Sequence, residues 1–419
     1  MSITVYPPYG AVSNPSTVTF SGTNVDAFGK LRVSNPFTIF DSQARFAADT
    51  SYSYVTASGG TTSYNTNQSS VNLNVTTASG STAVAQTYRV FPYQPGKSLL
   101  TLQTFTMAPY QANLTQRIGY FGAQNGVYLE WGPNGITFVT RTYTSGTVDN
   151  SRYVAQSSWN GDKLDGTGAS GVTLDLTKTQ ILWFDFEWLG VGSVRCGFVI
   201  NGQFVTCNTF QNANFQTAVY MQTAILPLRY EIATTAVTTA NATMQQICST
   251  VISEGGYEQT SQQYIARPTS SVTVGTSFTP LVSIRVNSSY YGAIVIPNSM
   301  TFLPIGSGQY EIVLIKNATL TGATWASTLS GGQVDVDLAA TALTNTADNI
   351  ALTSYATATN QSQTNAVVGA GYNFDLQLGY VASLSGNGFA SSDTYTLAAR
   401  TLSGTNACLG SLAFYNLTV

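Results

Sequence analysis

From Phe37 onward the chain is a succession of short runs in which apolar or β-branched residues alternate with polar ones, each run closed by turn residues. FTIFDS, VNLNVTT, SLLTLQTFTM, GVYLEW, ITFVTRTYT, QILWFDFEWL, VRCGFVI, QFVTCNTF and VYMQTAILPLRYEI follow one another up to Glu254. PLVSIRVN, YEIVLIKNATL, YNFDLQLGYV, DTYTLAAR and SLAFYNLTV continue the series from Ser271. Turns such as Gly132-Pro133-Asn134-Gly135 stand where helices would have to begin, and no segment carries the 3.6-residue period of an amphipathic helix. So many two-faced strands can hide their apolar sides only by layering sheet on sheet. The expected fold is therefore all-β, with two antiparallel β-sandwich or jelly-roll-like domains. No self-similarity at a period of about 20 to 50 residues points to a solenoid or propeller.

Residues 1–36 hold Pro7-Pro8, Asn14-Pro15 and Asn35-Pro36 and no charge before Asp26, and read as an extended N-terminal arm rather than a core element. Residues 37–254 form the larger sandwich. The stretch SEGGYEQTSQQYIARP is polar and does not alternate, which makes 255–270 a linker with room for one short helix, and 271–419 the second sandwich.

Composition narrows the chemistry. Among 419 residues there are 16 Lys and Arg, 19 Asp and Glu and no His; charged residues are 8% of the chain, against roughly 25% in an ordinary globular protein. Without His, catalytic triads of the Ser-His-Asp kind and His-ligated zinc fall away. A hydrophobic share of 43% is enough for a packed core. Solubility then rests on Ser, Thr, Asn, Gln and Gly; the 59 Thr also suit pleated strands. A net charge of -3 offers neither a basic stripe for nucleic acid nor a polybasic face for lipid. No run reaches the roughly 18 apolar residues of a membrane helix, and MSITVYPPYG lacks the charged and apolar regions of an export signal, so neither export nor membrane insertion is expected. Weak charge does favour self-association.

Cys196, Cys207, Cys248 and Cys408 show no C-x-x-C spacing. Asn201-Gly202 is a type I′ turn signal that pairs Ile200 with Gln203 and hence Cys196 with Cys207. That neighbourhood permits a disulfide, whereas a reducing cytoplasm would keep two packed thiols; the sequence leaves the oxidation state open.

Four features invite a functional reading, each with a plainer one beside it. In ILWFDFEWLG, Asp185 and Glu187 share a strand face with Trp183, the arrangement of a retaining β-sandwich glycosidase, although the third acidic residue of that pattern is missing. The plainer reading is a polar face opposite the aromatic core face of Phe184, Phe186 and Trp188. Gly166, Gly168 and Gly171 have G-x-G-x-x-G spacing but lack the following helix that a phosphate would need. Asp162 and Asp165 could feed oxygens to calcium, or simply cap an Asx-rich turn. The pairs Tyr52/Tyr54 and Tyr290/Tyr291 could stack against sugar rings, or belong to the core.

DAFGKLRVSNPFTIFDSQARF, Asp26 to Phe46, and the block from Gln116 to Gln203 that includes SSWNGDKLDGTGASGVTLDL resemble virion structural proteins of tailed bacteriophages, as does the C-terminal part from PLVSIRVN to SLAFYNLTV. The resemblance implies a tail, fibre or head-decoration subunit located in the virion and made in the host cytoplasm. It implies assembly with copies of itself, as a trimer, and with other virion proteins through the arm. No catalytic, cofactor-binding or metal-binding residue carries over, so no enzyme is expected. The alternatives are a glycan-binding receptor-recognition protein of the virion and, further off, a glycosidase using Asp185 and Glu187.

Overall fold

The computed structural model describes residues 2–5, 16–19, 35–258, 261–344, 349–357, 364–367 and 373–418. Every strand pairing in it is antiparallel, and among the described residues helix is confined to 3-10 turns of three residues, so the all-β, two-sandwich architecture is what the chain adopts.

The first sandwich faces a seven-stranded sheet against an eight-stranded one. In order across the first sheet run Asp149–Ala155, Gly135–Thr142, Gly126–Gly132, Leu114–Phe121, Leu228–Thr234, Thr82–Thr87 and Tyr52–Ala57. The second centres on Leu99–Thr106 between Gln180–Phe186 and the long strand Ala242–Ser253. Alternation decides which side chains go inside: along Leu99–Thr106 every second residue is buried. Ile118, Tyr120, Leu129 and Phe138 of one sheet meet Phe105, Leu182 and Phe184 of the other. The Tyr120 and Phe186 rings lie 5.2 Å apart, and Phe138 meets Phe184 edge-on at 6.0 Å.

The second sandwich packs a five-stranded sheet, with Asn406–Asn416 and Val295–Ile305 at its centre, on a six-stranded sheet built around Thr279–Val286, Thr394–Thr401 and Gln309–Lys316. Phe302, Leu412 and Phe414 from one sheet meet Ile284, Leu314 and Leu397 from the other. The segment read as a linker is part of this sandwich: Gln262–Ala266 pairs with the C-terminal strand, Gln262 opposite Asn416 and Ala266 opposite Leu412. Its polar side chains lie on the exposed side of an edge strand, which is why it does not alternate like a core strand. Within the expected arm, Ser2–Val5 pairs with Ser16–Thr19; most of the arm lies outside the described residues.

The hairpin at Asn201-Gly202 forms with both residues at positive φ, 52° and 75°, and Ile200 opposite Gln203. The pairing follows the expected register as far as Gly197 opposite Thr206, then slips by one at a β-bulge, so Cys196 faces Asn208 rather than Cys207. Cys196 and Cys207 are buried as free thiols in the same core, and the extra residue is the reason they do not sit in one cross-strand pair.

The sandwiches dock through main-chain and side-chain bonds. Tyr380 N–H donates to Tyr88 O at 2.7 Å, Gln377 Nε2 to Val90 O at 2.9 Å and Ala382 N–H to Ser53 Oγ at 3.2 Å. Val90 itself belongs to the second core.

The sheet face turned away from the first core carries an ion network that register builds directly. Glu130 stands opposite Arg117, and Arg117 opposite Glu231. Arg117 therefore binds both carboxylates, at 2.7 and 2.6 Å, and Arg229 closes on Glu231 at 2.6 Å while reaching Gln86 Oε1 at 2.8 Å. Burial alone would raise the Glu231 carboxyl, but the guanidinium groups of Arg229 and Arg117 outweigh it and hold the carboxyl far below the usual carboxylate range. A depressed folded-state pKa contributes stability above the unfolded value of 4.5, and that contribution declines as pH falls below it. Glu231→Gln should accordingly cost about 3 kcal/mol at neutral pH by leaving two buried cations short of a partner. Urea unfolding should show the gap to the parent protein narrowing in acid; equal gaps at neutral pH and near pH 3 would contradict the network's role.

Candidate functional site

Where the two sandwiches meet, a cleft of about 580 Å³ opens. One wall is the Gly122–Asn125 turn, the other the 387–389 turn, and the 3-10 turn Ser288–Tyr290 stands at its side. The walls are set by the backbone. Gly388 has φ 90°, and a Cβ built there would lie 3.0 Å from Ala123 Cβ, so glycine lets the two turns approach. Arg141 donates from Nη1 to Gly122 O at 3.0 Å, and Asn125 Oδ1 accepts from the N–H groups of Gln222 at 3.1 Å and Tyr143 at 3.3 Å. Asn287 Oδ1 accepts from Ser289 N–H at 2.8 Å, while its Nδ2 reaches Asp335 at 2.8 Å, fixing the turn that presents Tyr290.

The lining is neutral throughout. Tyr290 is 45% exposed. Tyr291 meets the Tyr380 and Phe389 rings edge-on at 5.6 and 6.2 Å, which immobilises it. Gln333 Oε1 is occupied by Asn416 and Thr418. Among the described residues, the side-chain amides of Gln124 and of Asn387 Nδ2, and the hydroxyl of Tyr290, have no hydrogen-bond partner, and all line the cleft. Gln124 offers a donor and an acceptor side by side, Asn387 offers a donor while its Oδ1 accepts from Phe389 N–H at 3.2 Å, and the exposed ring offers a flat apolar face; together they match alternating hydroxyls and C–H patches on an uncharged polyol ring.

Of the residues singled out in the sequence, Tyr290 and Tyr291 come to this cleft, whereas Tyr52 is buried in the first core with Tyr54 packed against it. Tyr52 donates or accepts at Ser249 Oγ, 2.7 Å away. Asp185 is bound by the Ser98 hydroxyl and ion-paired to Arg195. Glu187 lies past the end of strand Gln180–Phe186 and is exposed; neither carboxylate lines the cleft. The glycine-rich loop is an Asx-capped turn: Asp162 accepts from Leu164 N–H at 2.9 Å and Ser170 N–H at 2.7 Å, and Asp165 accepts from Thr167 N–H at 2.9 Å. Burial alone would raise the Asp162 carboxyl, but the bonds from Ser170 and Leu164 together outweigh it and hold the group below its ordinary value. No group of three or more Cys, Asp and Glu among the described residues is placed to hold a metal ion.

Gln124, Asn125 and Asn387 were not singled out in the sequence. They sit in ordinary turn strings, Gln124-Asn125-Gly126 and Gly386-Asn387-Gly388, and only the docking of the sandwiches brings those strings together.

No family model matches the chain, and no curated protein matches it. Solved structures that match the chain include the carbohydrate recognition domain of Emp47p, 10% identical with a TM-score of 0.33 over 53% of this chain and 97% of that one. Peanut lectin is 11% identical, TM-score 0.31, over 52% and 98%. Arcelin-5, a lectin-like defense protein from Phaseolus vulgaris, is 8% identical, TM-score 0.32, over 52% and 99%.

The cysteines give a check on the core that frames the site. Burial pushes the Cys207 and Cys408 thiols up to about 12 and Cys196 well above its ordinary value, while Cys248 is exposed. A thiol-reactive dye should label one residue of the native protein, Cys248, and all four after denaturation. Rapid native labelling of Cys196 or Cys207 would contradict the packing.

Proposed function

We propose that this chain is a non-enzymatic carbohydrate-recognition protein, carried on a virion, that holds a neutral saccharide in the cleft between its two sandwiches. The observation that carries this reading is the cleft's polar set: the amide of Gln124 and the Nδ2 of Asn387, both without a partner among the described residues, beside the exposed Tyr290 ring, with no charged side chain in the lining. Phosphates and nucleotides find no cation there, and a bare apolar ligand would strand the amides. The virion setting rests on the resemblance of Asp26 to Phe46, Gln116 to Gln203 and the C-terminal part to phage structural proteins.

Self-assembly belongs to the same proposal. Among the described residues ten ion pairs absorb much of a small complement of charge, and Phe46, Phe204, Phe215 and Tyr355 are more than half exposed. A surface so composed loses little hydration when copies meet, which supports a homo-oligomer, a trimer by analogy with fibre and spike subunits.

A glycan array probed with the full chain should show neutral oligosaccharides bound, and Tyr290→Ala should weaken the best of them by about tenfold or more, the worth of one ring-stacking contact. Gln124→Ala should weaken it further while leaving the melting temperature in place. An array on which the two variants retain full binding, or on which no glycan is bound, would refute the cleft as the site.

A further inference from the structure

A second cavity, of about 560 Å³, opens beside the edge strand Asp149–Ala155 of the seven-stranded sheet, closed on its other side by residues 216–220. Its character differs from that of the cleft. The hydroxyl-bearing residues Thr140, Thr142, Ser151 and Thr217 line it together with Arg152 and Asp149.

Arg152 is held in one orientation without a counter-charge. Nη1 binds Asn212 Oδ1, Nη2 donates to Gln211 O at 2.8 Å, and the guanidinium lies over the Phe210 ring at 5.3 Å. No carboxylate is within ion-pairing distance of it among the described residues, unlike Arg117, Arg195, Arg229, Arg285 and Arg400. Half burial lowers its pKa, with a smaller opposing effect from Tyr220. A fixed, partly desolvated cation facing a cavity is a receptor for an anion, and a planar fork fits a carboxylate in particular.

Tyr220 and Thr140 contribute buried side chains to the cavity wall, and a space of this size takes far more than a single water. Asp149 orients the occupant. Its Oδ1 accepts from Ser151 N–H at 2.7 Å, which holds the carboxyl below its ordinary value and so anionic. A ligand carboxylate is thus repelled from Asp149 and drawn to Arg152, while ligand hydroxyls are welcome at Asp149 and the threonines.

We infer that this cavity is a second saccharide site, distinct from the neutral cleft, that takes a sugar bearing a carboxylate, its acid group on Arg152 and its hydroxyls on Asp149, Ser151 and the threonines. The inference stands apart from the cleft reading, and either can fail alone.

The test is saturation-transfer NMR and calorimetry on the full chain with glucuronic acid, N-acetylneuraminic acid, glucose and sodium sulfate. The acidic sugars should bind with Kd on the order of millimolar, as single sugar rings do, and weaken as salt is raised. Glucose should bind at least about tenfold more weakly, the loss of one charge-assisted contact. Arg152→Gln should abolish the preference, Arg152→Lys should keep part of it, and Tyr290→Ala should leave it untouched. Thr142→Val, on the cavity wall, covers the case in which Arg152→Gln does not fold, and should weaken the acidic sugars. Acidic sugars bound no better than glucose, binding unmoved in folded Arg152→Gln, or sulfate bound as tightly as the sugars would each overturn the assignment.

Discussion

The row Glu130, Arg117, Glu231, with Arg229 beside it, decides what the seven-stranded sheet can do with its second face. A sheet face turned away from its own core ordinarily meets water. Here it is largely buried, and burying charge is tolerable only when partners and geometry are supplied in full. Register supplies them: three adjacent strands place acid, base and acid in line, so each guanidinium meets its carboxylates without strain on the backbone. The chain has few charges, and it spends a cluster of them where they permit docking rather than where they would solubilise.

From this network two arms reach the cleft. Arg229 fixes Gln86, whose Nε2 donates to Gly388 O at 3.4 Å in one wall. Arg141, on the same face, stacks on Phe121 and Tyr128 and binds the carbonyl of Gly122 in the other wall. The two walls then touch at Ala123 and Gly388. The charges thus lie beneath the walls and act on backbone carbonyls, which is how a neutral cleft can be rigidly framed by ions. The same economy leaves Arg152, like Arg141, oriented by amide and carbonyl oxygens with no acid ion-paired to it among the described residues, and Arg152 lines the second cavity.

Much of the fold was legible because period-2 alternation is a local signal. It placed Leu99–Thr106 and Gln180–Phe186 correctly and assigned Phe184 and Phe186 to the core. The Asn201-Gly202 turn was legible for the same reason, whereas the bulge that shifts Cys196 to Asn208 was not: it inserts one residue without changing the alternating character of QFVTCNTF. Gln262–Ala266 was misread as a linker because an edge strand with a wet face loses its alternation. The network could have been suspected from Glu130 and Glu231, each set between two residues of the core. The cleft could be read only in part. Two adjacent tyrosines draw notice, but the meeting of the 122–125 and 387–389 turns depends on how two sandwiches dock, and nothing local in either turn records it.

Hydrogen–deuterium exchange on the full chain with Arg229→Met tests most directly whether the ion network frames the cleft. The account predicts that amides of 122–126 and 386–390 lose protection together, while those of the Val194–Phe210 hairpin exchange as in the parent protein. Unchanged protection in both turns, or a loss spread evenly over the whole first sandwich, would contradict it.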